Sequence, residues 1–234
     1  LNKQELFQRI KGSLIVSCQA LEGEPLHGSD TMAKMALAAE IGGAAGLRAN
    51  GCEDIKEIQK VTKLPIIGLI KQVYPDSDVY ITPTKKEIDQ LIHADIEMLA
   101  LDCTDRYRPG GEKVEELVQY AKERGQTVMA DVSTYEEGLK AERLGFDCVS
   151  TTLSGYTSYS VQNSEPDFEL VRRLGSELNI PVIAEGKIRT PEQAREALRL
   201  GAHAVVVGSA ITRPQEITKR FVKYINRGDE NGSR

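Results

Sequence analysis

The chain has 234 residues, 40% hydrophobic and 28% charged, with a formal net charge of -5. This balance describes a folded chain rather than a disordered one, and the length suits one α/β barrel, which typically runs to about 250 residues. Without a Lys/Arg cluster, a ~20-residue apolar run or a signal-peptide core in segment 1–14, the sequence argues against nucleic acid and membrane as partners and points to a cytoplasmic protein.

Short apolar runs alternate with amphipathic stretches along the whole chain. SLIVSCQ (13–19) reads as a strand and SDTMAKMALAAEIGG (29–43) as the helix after it. AAGLRA (44–49) precedes CEDIKEIQKVT (52–62), and PIIGLIK (65–71) precedes TKKEIDQLIHA (84–94). EMLALDCT (97–104) is followed by GEKVEELVQYAKERG (111–125), and TVMADVS (127–133) by TYEEGLKAERLG (134–145). DCVSTTLS (147–154) leads to EPDFELVRRLGSELN (165–179), and PVIAEGK (181–187) to TPEQAREALRLG (190–201). AVVVGSA (204–210) is the eighth strand, and PQEITKRFVKYIN (214–226) closes the series with Pro at its start.

The strand candidates are mostly apolar throughout, as parallel strands covered on both faces should be. Several helices open with Ser, Thr or Asp near Glu or Gln, a capping signal, and a Leu-Gly stop recurs in the repeats 136–152 and 192–209. Eight strand–helix units predict a single (β/α)8 TIM barrel over residues 1–234. A doubly wound open sheet is the rival. It would carry a glycine-rich dinucleotide turn after the first strand, and CQALEGEPLHG (18–28) is not one.

Cys18, Cys52, Cys103 and Cys148 lie far apart, three of them in strand-like runs, which fits free thiols better than disulfides. His27, His93 and His203 are equally scattered, so no metal site is expected.

In such barrels the active site lies where the strands end. Those ends read Gln19, Arg48, Lys71, Asp102, Asp131, Thr152, Glu185-Gly186-Lys187 and Gly208-Ser209. One strand-end charge means little, but a ring of them at one mouth points to a site. EGKIRTPEQA (185–194) and GSAITRPQE (208–216) place Gly and small residues just ahead of helices, the usual barrel arrangement for a phosphate. Gly186, Lys187, Gly208, Ser209 and Arg213 are the candidate phosphate ligands, with Arg213 suited to a bidentate clamp. Lys71, with Arg48 near it, is a candidate base of lowered pKa, and Glu185 faces it as a second acid or base. The plainer reading of Glu185 is a salt bridge to Lys71 or Lys187. Gln19, Asp131 and Thr152 complete the candidate sugar contacts.

LIVSCQA, PLHGSDTMAKMALAAEIGGAAGLRAN, PIIGLIK, VYITPT, MADVST, GFDCVSTTLSGYTSY, VIAEGKIRTPEQA and HAVVVGSAITRPQEITKRF together resemble the N-acetylmannosamine-6-phosphate 2-epimerases of bacterial sialic-acid catabolism. The resemblance spans nearly the whole chain. It implies a (β/α)8 barrel, no metal or redox cofactor, and conversion of N-acetylmannosamine 6-phosphate to N-acetylglucosamine 6-phosphate. The family's catalytic lysine and glutamate fall on Lys71 and Glu185, its sugar-binding residues on Gln19, Arg48 and Asp131, and its phosphate-binding arginine on Arg213. After the lysine many relatives carry Arg-Asp, where this chain has Gln72-Val73. Two other classes compete: a phosphosugar lyase or aldolase using Lys71 as a Schiff base, and a non-catalytic sugar-phosphate sensor. The segment 32–46, rich in Ala, Met and Gly, suits either close contact with a second subunit or ordinary packing on the barrel.

Overall fold

In the computed structural model, which describes residues 1–227, all eight runs form strands. They are β1 (Leu14–Cys18), β2 (Gly46–Asn50), β3 (Ile66–Leu69), β4 (Met98–Asp102), β5 (Thr127–Asp131), β6 (Cys148–Ser150), β7 (Val182–Ala184) and β8 (Ala204–Val207). Each pairs in parallel with the next, and β1 pairs with β8 to close a barrel in sequence order. The chain is a (β/α)8 barrel.

Side chains alternate sides along a strand, so each strand serves two layers. Ile15, Leu69, Met98, Met129, Ile183 and Val206 fill the barrel interior. Val16, Leu47, Leu99, Val128 and Val149, on the other face, pack under the surrounding helices. That second requirement explains why the strands carry no polar face.

The helices predicted between the strands are α2 (Ser29–Ile41), α3 (Cys52–Val61), α4 (Lys85–His93), α5 (Val114–Glu123), α6 (Tyr135–Leu144), α7 (Phe168–Glu177) and α8 (Pro191–Arg199). Thr84, Thr134 and Thr190 cap α4, α6 and α8, each in a reciprocal box with Glu87, Glu137 or Gln193 three residues on. Gly145 ends α6 in the left-handed region, φ 84°, as the Leu-Gly stop predicted.

Two features have no counterpart in the sequence pattern. A helix α1 (Lys3–Ile10), capped by Asn2 and Glu5, buries Leu6 and Ile10 against the interior cluster and plugs the end of the barrel opposite the strand C-termini. After β8 the chain makes a four-residue helix, α9 (Ser209–Thr212), before the predicted last helix, α10 (Pro214–Arg227). Phe221, Val222, Tyr224 and Ile225 of α10 are exposed, and so are Leu37 and Ile41 of α2. Among the described residues no helix is long and apolar enough to cross a membrane.

Candidate active site

The stripe that fills the barrel also builds the site. Two residues beyond Leu69 comes Lys71, two beyond Met129 comes Asp131, and two beyond Ile183 comes Glu185. By the same step Ile15 leads to Ser17 and Gln19, and Val206 to Gly208. On every strand but β8, where Gly208 has no side chain, the apolar fill gives way to polar groups in the top layer. They surround a cavity of about 550 Å³ at the C-terminal mouth. Gln19, Arg48, Lys71, Thr152 and Glu185 all line it, together with the Gly186 and Gly208 turns and Arg213.

Arg48 is the centre of the arrangement and is only 1% exposed. Its guanidinium forks onto both oxygens of Asp131 and also reaches Glu185. Thr152 ties the two carboxylates together: its hydroxyl donates to Asp131 Oδ1 at 2.7 Å and lies 3.1 Å from Glu185 Oε2. Burial alone would weaken the proton affinity of Arg48, but Asp131 and Glu185 outweigh it and hold the group above its ordinary value. Asp131 is wholly buried and is not part of the cavity wall; it lies behind Arg48 as its counter-ion. Glu185 is therefore paired with Arg48 and not with either lysine.

Burial raises the Glu185 carboxyl above the usual carboxylate range, and Asp131 adds to this against the opposing pull of Arg48. Only Oε2 is held by Arg48 and Thr152. Lys71 shows the opposite displacement. Its amine is pushed down to about 8 by burial, then by the positive charges of Arg48 and Arg213, with Glu185 and Glu24 opposing. Among the described residues no carboxylate stands at ion-pair distance from it. The backbone around Lys71 is fixed independently of its side chain, by a bridge to Ile81 and a 2.8 Å bond from its N–H to Asn50 Oδ1.

The phosphate candidates lie along one side of the mouth. Gly186 has φ 109° and Lys187 φ 59°, a left-handed step that turns the chain sharply away from β7. The Lys187 ammonium bonds the Asn163 carbonyl and stands 5.3 Å from the centre of the Tyr156 ring, so it braces the neighbouring loop. Gly208 and Ser209 form the turn into α9. Arg213 is partly exposed and is held by Glu24 at 3.1 Å, and Glu24 also accepts from the Leu21 N–H at 2.8 Å. Asp102, on the same stripe, is tied up by Thr104 and Arg106 and does not line the cavity.

The sequence pattern gives no hint of Tyr80, Val73 and Tyr156, which reach the cavity from loops. Ser17 also lines it, and a polar residue inside an apolar strand was the available signal. A base of lowered pKa beside a buried arginine–carboxylate cluster, with glycine turns and an arginine at one side, can move a proton on a small anionic molecule.

A family model described as "Putative N-acetylmannosamine-6-phosphate epimerase" matches residues 32–227. A Clostridium perfringens protein (strain SM101 / Type A) described as "Putative N-acetylmannosamine-6-phosphate 2-epimerase" is 61% identical over 216 residues, covering 92% of this chain and 98% of that one. A Clostridioides difficile protein (strain 630) of the same description is 59% identical over 220 residues, covering 94% and 99%. The solved structure of the N-acetylmannosamine-6-phosphate 2-epimerase from Clostridium perfringens superposes with a TM-score of 0.93 at 59% identity, covering 94% of this chain and 96% of that one. A thiamine phosphate pyrophosphorylase from Pyrococcus furiosus, 20% identical with a TM-score of 0.61 over 88% of this chain and 89% of that one, shares the fold alone.

Proposed function

The chain belongs to the N-acetylmannosamine-6-phosphate epimerase family, and from that premise we propose that it interconverts N-acetylmannosamine 6-phosphate and N-acetylglucosamine 6-phosphate by loss and return of the C2 proton. One observation carries the mechanism: Lys71, its amine brought down to about 8, shares a cavity with Glu185 and has no carboxylate to neutralise it among the described residues. In the open-chain sugar C2 lies next to the C1 aldehyde. Removing its proton leaves the electron pair in an enolate that extends to the C1 oxygen. Neutral Lys71 takes the proton onto Nζ, and a proton returned to the other face inverts C2. The substrate's own carbonyl acidifies the C–H bond, so the reaction calls for no cofactor.

Glu185 handles the second proton, either in opening the ring or in the return to C2, through the oxygen that Arg48 and Thr152 leave free. Gln19, Arg48 and Thr152 bind the sugar, and Asp131 keeps Arg48 aimed at it. The Gly186, Gly208 and Ser209 turns and Arg213 take the phosphate, with Lys187 at its edge. Proton NMR of N-acetylmannosamine 6-phosphate with enzyme in deuterated water is the direct test. Signals of N-acetylglucosamine 6-phosphate should grow in as the C2 proton signal disappears, and an unchanged spectrum refutes the reading.

A homodimer belongs to the same proposal. The exposed apolar side chains of α2 and α10 are the surfaces a second copy would cover, and a monomer by sedimentation at micromolar concentration would end the idea. Four free cysteines suit a reducing compartment, and we place the reaction in the cytoplasm.

A further inference from the structure

Arg213 carries a long side chain on a fixed piece of backbone at the phosphate side of the cavity. The buried Thr212 beside it anchors that backbone, its hydroxyl lying 2.9 Å from the Ser17 carbonyl and 3.2 Å from that of Gly208. Among the described residues one group holds the guanidinium, the Glu24 carboxylate, whose Oε2 stands 3.1 Å from Nη2. Glu24 is placed without help from Arg213. The Leu21 N–H donates to Glu24 Oε2 at 2.8 Å, the Glu24 N–H donates to the Leu21 carbonyl at 3.0 Å, and Gly23 permits this turn with φ 83°. The His27 N–H donates in turn to the Glu24 carbonyl at 3.0 Å. One oxygen, Oε2, therefore faces both the loop's own N–H and the arginine, and Leu21 of the same turn lines the cavity.

We propose that Glu24 is a positioning residue for phosphate recognition: it sets the Arg213 guanidinium in place before the substrate arrives, so that the loop between β1 and α2 belongs to the phosphate site. This rests on the epimerase reading. A free arginine gives up its rotamers when an anion binds, a loss worth up to about tenfold in affinity, and an arginine already held has given them up beforehand. A guanidinium has several N–H donors, so one held at Nη2 still has others to offer a phosphate. The rival role is competition, in which the carboxylate stands in for the phosphate and moves aside for it. The Leu21 N–H opposes that, because it fixes Oε2 independently of the arginine. Glu24 thus acts on phosphate affinity and leaves the proton chemistry to Lys71.

The test is a cycle of dissociation constants for N-acetylglucosamine 6-phosphate. Arg213→Ala should weaken binding by at least about tenfold. Glu24→Ala should weaken it by about five- to tenfold, the scale of one ordered side chain. Adding Glu24→Ala to Arg213→Ala should change it by less than about twofold, since no guanidinium remains to be held. Glu24→Gln should recover most of the parent affinity. The Leu21 N–H and the guanidinium can only donate, so both select the amide oxygen in the place of Oε2. A loop that had merely lost its shape would weaken the Arg213→Ala protein as much as the parent. Tighter or unchanged binding by Glu24→Ala, a further loss in the double variant, or a Glu24→Gln protein as weak as Glu24→Ala overturns the proposal. Should Glu24→Ala not fold, as judged by thermal melting, Glu24→Asp, whose carboxylate is one carbon short of the arginine, takes its place in the same cycle. An Arg213→Ala protein that binds as tightly as the parent removes the phosphate assignment and the proposal with it, whereas the outcomes above leave that assignment standing. A parent enzyme that does not bind the sugar counts against the epimerase reading itself.

Discussion

Replacing Lys71 by Met removes one basic nitrogen and little else. The two side chains are of similar length, and the bridge to Ile81 and the bond to Asn50 belong to the backbone, so β3 and its exit loop should form as before. With the amine at about 8, roughly one molecule in eleven carries a neutral Lys71 at pH 7; an ordinary lysine near 10.5 would give about one in 3,000. Burial and the two arginines thus multiply the available base by about 300-fold. Losing it should cut epimerisation by at least ~10²-fold, and exchange of the C2 hydrogen with deuterated water should fall equally because both need the same abstraction. In the parent enzyme kcat/KM should rise about tenfold per pH unit until it levels near pH 8, since the deprotonated amine is the active form. The assays are C2 exchange by proton NMR and a pH series of initial rates, with melting curves to show that the variant folds. A folded Lys71→Met protein that exchanges C2 hydrogen at the parent rate, or a kcat/KM that is flat through pH 8, refutes the assignment.

Arg213→Ala should raise KM by about 10–100-fold through loss of a charge-assisted phosphate contact, and the kcat/KM midpoint should move above 8 because Arg213 helps depress Lys71; steady-state kinetics over pH reads both. Glu185→Gln should lower turnover of the cyclic sugar by about 10²-fold. If an open-chain analogue still exchanges its C2 hydrogen with that variant, the carboxyl serves ring opening; if exchange is lost as well, it acts at C2. Arg48→Met leaves the wholly buried Asp131 unpaired and should cost about 3–5 kcal/mol, a fall of roughly 10 °C in Tm, with much of it recovered by adding Asp131→Leu. Borohydride added with substrate should leave Lys71 unmodified by mass spectrometry, whereas a covalent adduct there would point to Schiff-base chemistry.

The barrel was legible because parallel strands covered on both faces must be largely apolar, and each such run here carries a polar residue at or next to its end. The same rule made Lys71, Arg48 and Glu185 visible as strand ends that share one mouth. What period and composition cannot convey is depth and partner. Asp131 and Glu185 read alike in sequence, yet one is enclosed behind Arg48 and the other opens on the cavity. Lys187 reads as a phosphate candidate in sequence and does line the cavity, but the bond of its ammonium to the Asn163 carbonyl is not legible there. Helix α1 escaped because its apolar residues are few, and only the closed barrel supplies the interior that Leu6 and Ile10 plug. Tyr80 and Tyr156 come from loops, where no periodicity operates.

The unequal treatment of the two carboxylates around Arg48 is itself an argument about mechanism. A single carboxylate on a buried arginine would be locked as an anion and would make a poor proton carrier. Here Asp131 takes both prongs of the guanidinium, so the positive charge is already answered before Glu185 is counted. Glu185 then gains less from Arg48 than burial and the nearby Asp131 charge take from it, and its carboxyl is displaced upward. Across the same cavity Lys71 is displaced downward by burial first, and then by the positive charges of Arg48 and Arg213 that the carboxylates do not fully cancel. An acid raised and a base lowered face one cavity, the pairing that suits proton transfer at a carbon next to a carbonyl. With Asp131 on both prongs of Arg48, Glu185 is held through Oε2 alone.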